Sequence, residues 1–204
     1  MNKSKIAGIA FNVPDNIVTN HDLEKMMDTT DEWIQTRSGI KERRWVKPGV
    51  ANSDLALPAC QEAIQNAGIS PDDIDAIVVG TVTSDFNFPG MAPIIQQKLG
   101  ISAHVPAYDI SAACSAFIYL LEIGDQYIKS GKYNNILLIG SDIMSTIIER
   151  TPEGRATGVL FGDGSGAVVL QASNDDSGIL STHLFADGKG VEHLGAKAPG
   201  SFFN

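Results

Sequence analysis

Two cysteines in 204 residues, Cys60 and Cys114, are too few for a disulfide framework. Long apolar runs are missing too. The longest, at 76–79 and 136–139, are strand-sized and far short of a membrane span. The first apolar stretch, 6–11, is too short for the core of a secretory leader, and no small-residue cleavage site follows it. Positive charge is scarce, with 15 Lys plus Arg against 24 Asp plus Glu and a formal charge of −9. That deficit argues against nucleic acid, because phosphate neutralisation needs a clustered basic surface. A cytoplasmic protein with neither a membrane nor a nucleic acid as partner is the expectation.

Several catalytic signatures are also missing. There is no P-loop, no HExxH pair and no GxSxG elbow. His21, His104, His183 and His193 show no metal-ligand spacing with one another or with the cysteines, so no metal site is expected. The run Gly162-Asp163-Gly164-Ser165-Gly166 lacks the strand–turn–helix context of a dinucleotide fingerprint. A strand-like run follows it, so it reads as a tight turn feeding a strand.

What is present is an ordinary globular composition, 43% hydrophobic and 19% charged, which excludes intrinsic disorder. Apolar runs at 6–11, 76–82, 105–110, 135–141, 167–170 and 178–185 predict strands, the last two joined by a turn at 173–177. Helices are predicted at 22–27 behind a cap at Thr19 to Asp22, and after Thr30-Asp31 up to Gly39. Others are predicted at 53–67, 91–99 and 115–130, with Gly68, Gly100 and Gly131 as stops. Pro58 predicts that the 53–67 helix starts late or is kinked. The alternation predicts a layered α/β domain with a mostly parallel or mixed sheet. No linker or repeat divides it.

One dense basic cluster, Lys41, Arg43, Arg44 and Lys47, is opposed by Glu42 alone. It reads either as a greeting for a single anionic ligand or as a solvated loop face.

Cys114 lies in Ser111-Ala112-Ala113-Cys114-Ser115-Ala116-Phe117, between a strand ending near Ile110 and the 115–130 helix. Unpaired N–H groups and the macrodipole at a helix start favour an anion, and hence a thiolate. Small neighbours leave room for a substrate. Two readings stand: a nucleophile that attacks a carbonyl, or a small buried thiol acting as a core hydrophobe. Cys60, in an alanine-rich helix, reads as core filler.

The segment Thr29-Thr30-Asp31-Glu32-Trp33-Ile34-Gln35-Thr36-Arg37-Ser38-Gly39-Ile40-Lys41-Glu42-Arg43 resembles a signature of β-ketoacyl-acyl-carrier-protein synthase III. Ala112-Ala113-Cys114-Ser115-Ala116-Phe117 is similar to the segment around that family's nucleophilic cysteine. Phe161-Gly162-Asp163-Gly164-Ser165-Gly166-Ala167 and Ser181-Thr182-His183-Leu184 with Ala186-Asp187-Gly188 also fit.

The resemblance implies a thiolase-like fold, one half of a duplicated α-β-α architecture with a mixed sheet. It implies an acyltransferase that starts bacterial fatty-acid synthesis. Cys114 would take an acyl group from acyl-CoA and pass it to malonyl-acyl carrier protein, with loss of CO2. Coenzyme A enters as a thioester substrate, and no cofactor is implied. By the same resemblance, Trp33 matches a tryptophan that stacks on adenine, Arg155 the arginine on the base's other side, and Arg37 and Thr29 residues near the nucleotide. Phe88 matches a phenylalanine that crosses a homodimer interface to shape the partner's acyl pocket. From the residues alone, Trp33 reads equally as a half-buried helix aromatic, Arg37 as a solvated charge and Phe88 as core packing.

Ala116 and Pro58 depart from the family pattern. The condensation step of the family needs a histidine and an asparagine, which the resemblance places after Asn204. Residues 1–204 are therefore expected to be the N-terminal half, with the C-terminal half absent and the chain alone inactive in condensation. A hydroxymethylglutaryl-CoA synthase-like or polyketide starter enzyme, and a non-catalytic dimerisation fragment, are the alternatives.

Overall fold

Runs of Ile, Val and Leu that are apolar on both faces need helices above and below them. The computed structural model, which describes residues 3–102, 104–174 and 177–196, provides this arrangement. Its main sheet holds β1 (Lys3–Asn12), β4 (Ala76–Gly80), β5 (Ala107–Ile110), β6 (Asn135–Ile143) and β7 (Asp163–Ser173) in the order β1-β7-β6-β4-β5. Strands β5 and β6 pair in parallel with β4, and β7 runs antiparallel to β6 and β1. The sheet is mixed, as the sequence predicts.

Helices α3 (Asn52–Asn66) and α4 (Met91–Leu99) cover one face. Ala56, Ala59, Cys60, Ala63, Met91 and Ile95 pack there on Ile77, Val79, Leu137, Ile139 and Val169. Helix α5 (Ala116–Lys129) covers the other, placing Leu120 and Ile128 on Val78, Leu138, Val168 and Leu170. Each fully buried Val, Leu, Ile or Met among them contributes about 1.5–3 kcal/mol of hydrophobic stabilisation. Close packing needs small residues. A Cβ on Gly8 would sit 2.1 Å from the Ala63 carbonyl oxygen, so glycine alone lets β1 lie against α3.

A second unit sits beside the sheet. The ribbon of β2 (Ile17–Thr19) and β3 (Glu42–Arg44) carries α1 (Asn20–Leu23), α2 (Asp31–Ser38) and α6 (Arg155–Gly158) around Val18, Leu23, Met27, Ile34, Trp45 and Val159.

Four readings are corrected. The 162–166 run is not a turn: Asp163–Gly166 already belong to β7 and pair with β6, and Ser165 and Gly166 pair with β1 as well. Residues 178–185 form no strand; Ile179 N–H donates to the Ser4 carbonyl at 2.9 Å, but no ladder follows. The first short helix starts at Asn20, behind a Thr19–Asp22 capping box, rather than at 22. Of the two readings of Pro58, the late start fails: helix α3 begins at Asn52 and runs through Pro58, which lies on its exposed face. The turn read at 173–177 falls partly outside the described residues.

Candidate active site

Ligand crevices in parallel sheets form beyond the carboxyl ends of the strands. A cavity of about 450 Å³ opens there. Thr81–Ser84 after β4, Asp109–Ser111 at the end of β5, Phe86 and Asn87 of the intervening loop, and Thr146 and Ile147 after β6 line it.

Cys114 follows this wall directly. It occupies a 3-10 turn, Ala113–Ser115, that runs straight into α5, and it is exposed. The helix is seated by a close approach: a Cβ on Gly80 would lie 2.7 Å from that of Ala116. Ala113 has φ +44, a left-handed conformation that costs a non-glycine residue of order 1 kcal/mol. The Ser115 N–H donates to the Ala112 carbonyl at 3.1 Å across the turn, and the thiol stands outside the core. Cys60 is the opposite case. It is fully buried, and burial pushes its thiol up to about 12. The core-filler reading holds for Cys60, and the buried-thiol reading of Cys114 is excluded.

Polar groups brace the cavity wall. Asp109 accepts from the Met91 and Ala92 N–H groups at 2.5 and 2.7 Å, satisfying the start of α4 from the end of β5. Asn52, buried at the start of α3, donates to Thr81 Oγ1 at 3.1 Å and to the Ser141 carbonyl at 3.0 Å. Asp142 accepts from Thr81 and Thr83 hydroxyls at 2.9 and 2.8 Å. Asp163 accepts from Val46 N–H, Ser145 N–H and Ser145 Oγ at 2.7, 2.7 and 2.6 Å. No local sequence pattern marks any of the four, since each acts between separate elements of the chain. Ser84 Oγ, on the cavity wall, is buried without a hydrogen-bond partner among the described residues.

The other singled-out residues gather on the second unit. Thr30 caps α2 by accepting from Trp33 N–H at 3.1 Å, and Gly39 closes it in the left-handed conformation. Trp33 therefore sits in the first turn, half-buried, with Arg37 one turn later. The Arg37 guanidinium lies 4.5 Å and the Arg155 guanidinium 4.8 Å from the Trp33 ring centroid. Arg155 also donates to the Asp28 carbonyl at 2.7 Å. Neighbouring Thr29 has a buried Oγ1 with no hydrogen-bond partner among the described residues. Thus Trp33, Arg37 and Arg155 are brought together beside Thr29 on the second unit, while Cys114 belongs to the turn between β5 and α5 of the sheet unit. Phe88 is 90% exposed on the loop that lines the cavity with Phe86 and Asn87, so it is not core packing.

The basic cluster divides. Lys41 and Lys47 are exposed and Arg44 is half-buried, but Arg43 points inward and is 6% exposed. It is neither a solvated face nor a greeting for an anion. Burial alone pushes its guanidinium pKa down.

A family model described as 3-Oxoacyl-[acyl-carrier-protein (ACP)] synthase III matches residues 108–188. The chain is 49% identical over 189 residues to β-ketoacyl-[acyl-carrier-protein] synthase III 1 of Bacillus anthracis, covering 93% of this chain and 60% of that protein. It is 48% identical over 196 residues to the synthase III of Caldanaerobacter subterraneus, covering 96% and 58%. The crystal structure of 3-oxoacyl-[acyl-carrier-protein] synthase III from Aquifex aeolicus superposes with a TM-score of 0.87 at 46% identity, over 91% of this chain and 59% of that one. The chain thus spans about 60% of the length of such relatives.

Proposed function

We propose that the chain belongs to the 3-oxoacyl-[acyl-carrier-protein] synthase III family that it resembles, with that family's thiolase-like fold, and that its protein carries out the family's initiating condensation. Cys114 is the proposed nucleophile. Its Sγ attacks the thioester carbonyl carbon of a short acyl-CoA such as acetyl-CoA. The bond from that carbon to the coenzyme A sulfur breaks, and the proton lost by Cys114 ends on the departing thiol. The acyl-enzyme is then attacked by the carbanion that malonyl-acyl carrier protein yields on losing CO2. As the new carbon–carbon bond forms, the bond from the acyl carbon to Sγ breaks; 3-oxoacyl-acyl carrier protein and CO2 are the products, and the Cys114 thiolate takes a proton from solvent.

The observation that carries this reading is the exposed Cys114 at the head of α5, three residues beyond Ser111 of the cavity wall at the carboxyl ends of β4 and β5. Groups at a helix start stabilise the charge that develops on sulfur and on the carbonyl oxygen. The cavity is the proposed acyl pocket, and Phe88 is proposed to complete the same pocket of a second copy in a homodimer.

Trp33, Arg37, Arg155 and Thr29 are proposed to hold the nucleotide of coenzyme A. A base between two flat groups needs about 7 Å, twice a van der Waals stacking distance. Arg155 therefore swings outward from its 4.8 Å position to admit adenine. The unpartnered Thr29 Oγ1 supports the reading, because a bound ligand offers it a partner.

The test is an assay with radiolabelled acetyl-CoA and a choice of acceptors. Label transferred to malonyl-acyl carrier protein with release of CO2 is the expected result. Transfer to another acceptor instead refutes the reading.

A further inference from the structure

Arg43 is a buried cation with no carboxylate touching it among the described hydrogen bonds, and the chemistry proposed above does not use it. Its guanidinium spends its hydrogen bonds on elements that carry the nucleotide clamp. Nη2 donates to the carbonyl of Val159, the residue closing α6, at 3.1 Å, and to Asn20 Oδ1 at 2.8 Å. Nη1 donates to the Val18 carbonyl of β2 at 3.2 Å.

Asn20 relays the connection. Its Nδ2 donates to Asp31 Oδ1 at 2.8 Å and to the Ile40 carbonyl at 2.7 Å. Asp31 opens α2, the helix of Trp33 and Arg37, and its other oxygen accepts from Gln35 at 2.6 Å. One guanidinium and one carboxamide thus tie the two ends of α2 to the end of the short helix that Arg155 begins. The fit is tight on the strand side too, since a Cβ on Gly162 would lie 3.1 Å from Arg43 Cβ.

We propose that Arg43, acting through Asn20 and Val159, is the positioning residue that sets the gap between Trp33 and Arg155 and so fixes recognition of the nucleotide portion of a coenzyme A thioester. Burying a cation is costly, and an apolar residue of similar size fills such a site at least as well. Arginine supplies what an apolar side chain lacks, a rigid planar fork that reaches three acceptors on separate elements at once. Lysine has the charge but not the fork.

This inference rests on the clamp reading above, so the experiment tests the two separately. Acylation of the protein is followed with acetyl-CoA and with S-acetyl-pantetheine, which lacks the nucleotide, for the unaltered protein and for Trp33→Ala, Arg43→Lys and Asn20→Ser. Melting curves confirm that each variant is folded. The unaltered protein should prefer acetyl-CoA, and Trp33→Ala should remove that preference; otherwise the clamp reading itself fails. If the preference exists, Arg43→Lys is expected to raise KM for acetyl-CoA about tenfold, a change on the scale of one stacking interaction. The rate with S-acetyl-pantetheine should change less than about twofold. Asn20→Ser should act in the same direction, to a smaller extent. An unchanged preference in both variants overturns the proposal. An equal loss with the two substrates also overturns it, because that is the signature of a merely structural role.

Discussion

A Cβ placed on Gly80 would lie 2.7 Å from the Cβ of Ala116, so the end of β4 and the start of α5 touch with no space between them. This contact fixes where the Cys114 turn stands over the sheet. Gly80→Ala should push α5 outward and cost about 1–3 kcal/mol, the usual range for overpacking. The melting temperature should fall together with the rate of Cys114 acylation. A variant with lowered stability and an unchanged acylation rate would show that the seating of α5 does not govern the thiol.

Asp109 joins α4 to the strand that leads into Cys114. Asp109→Ala leaves two N–H groups at the start of α4 unsatisfied and should cost about 1–2 kcal/mol in urea unfolding. Asp109→Asn keeps one acceptor oxygen and should lose less. Equal losses would place the stabilisation elsewhere.

The two thiols should behave oppositely. Iodoacetamide should alkylate the exposed Cys114 and leave the fully buried Cys60 untouched in the folded protein. Burial holds Cys60 at about 12, above the 9.0 of an unburied thiol. The unfolded chain therefore gives up this proton first as pH rises. The contribution to stability is complete below about pH 9 and is lost progressively from there toward about pH 12. Urea midpoints measured between about pH 8 and about pH 10.5 should fall more steeply for the unaltered protein than for Cys60→Ala. Parallel slopes would contradict this.

Much of the frame is legible in the sequence because its signals are local. Thr30 and Gly39 bracket α2, and Gly100 ends α4 at the residue expected. The small residues around Cys114 mark the strand-to-helix joint. Other features depend on partners far along the chain. Gly164 and Gly166 belong to a strand because β7 is drawn into the sheet between β1 and β6, and no local pattern shows that. Residues 178–185 have strand-like composition but no ladder to join. Arg43 sits in a basic run that looks solvated, yet its acceptors include Asn20 and Val159, the latter 116 positions away. Trp33 and Arg155 likewise meet only through the fold.

Phe88, 90% exposed beside the cavity, tests the proposed dimer. Phe88→Ser removes an aromatic whose burial is worth about 1.5–3 kcal/mol. Sedimentation should show dimer dissociation at concentrations about tenfold higher or more. An unchanged association constant would remove Phe88 from the interface.

The most direct measurement is the mass of the protein after incubation with acetyl-CoA, followed by peptide mapping. The account predicts the addition of one acetyl group, located on Cys114 and absent from Cys114→Ser. An unmodified protein, or an adduct that survives Cys114→Ser, would contradict it.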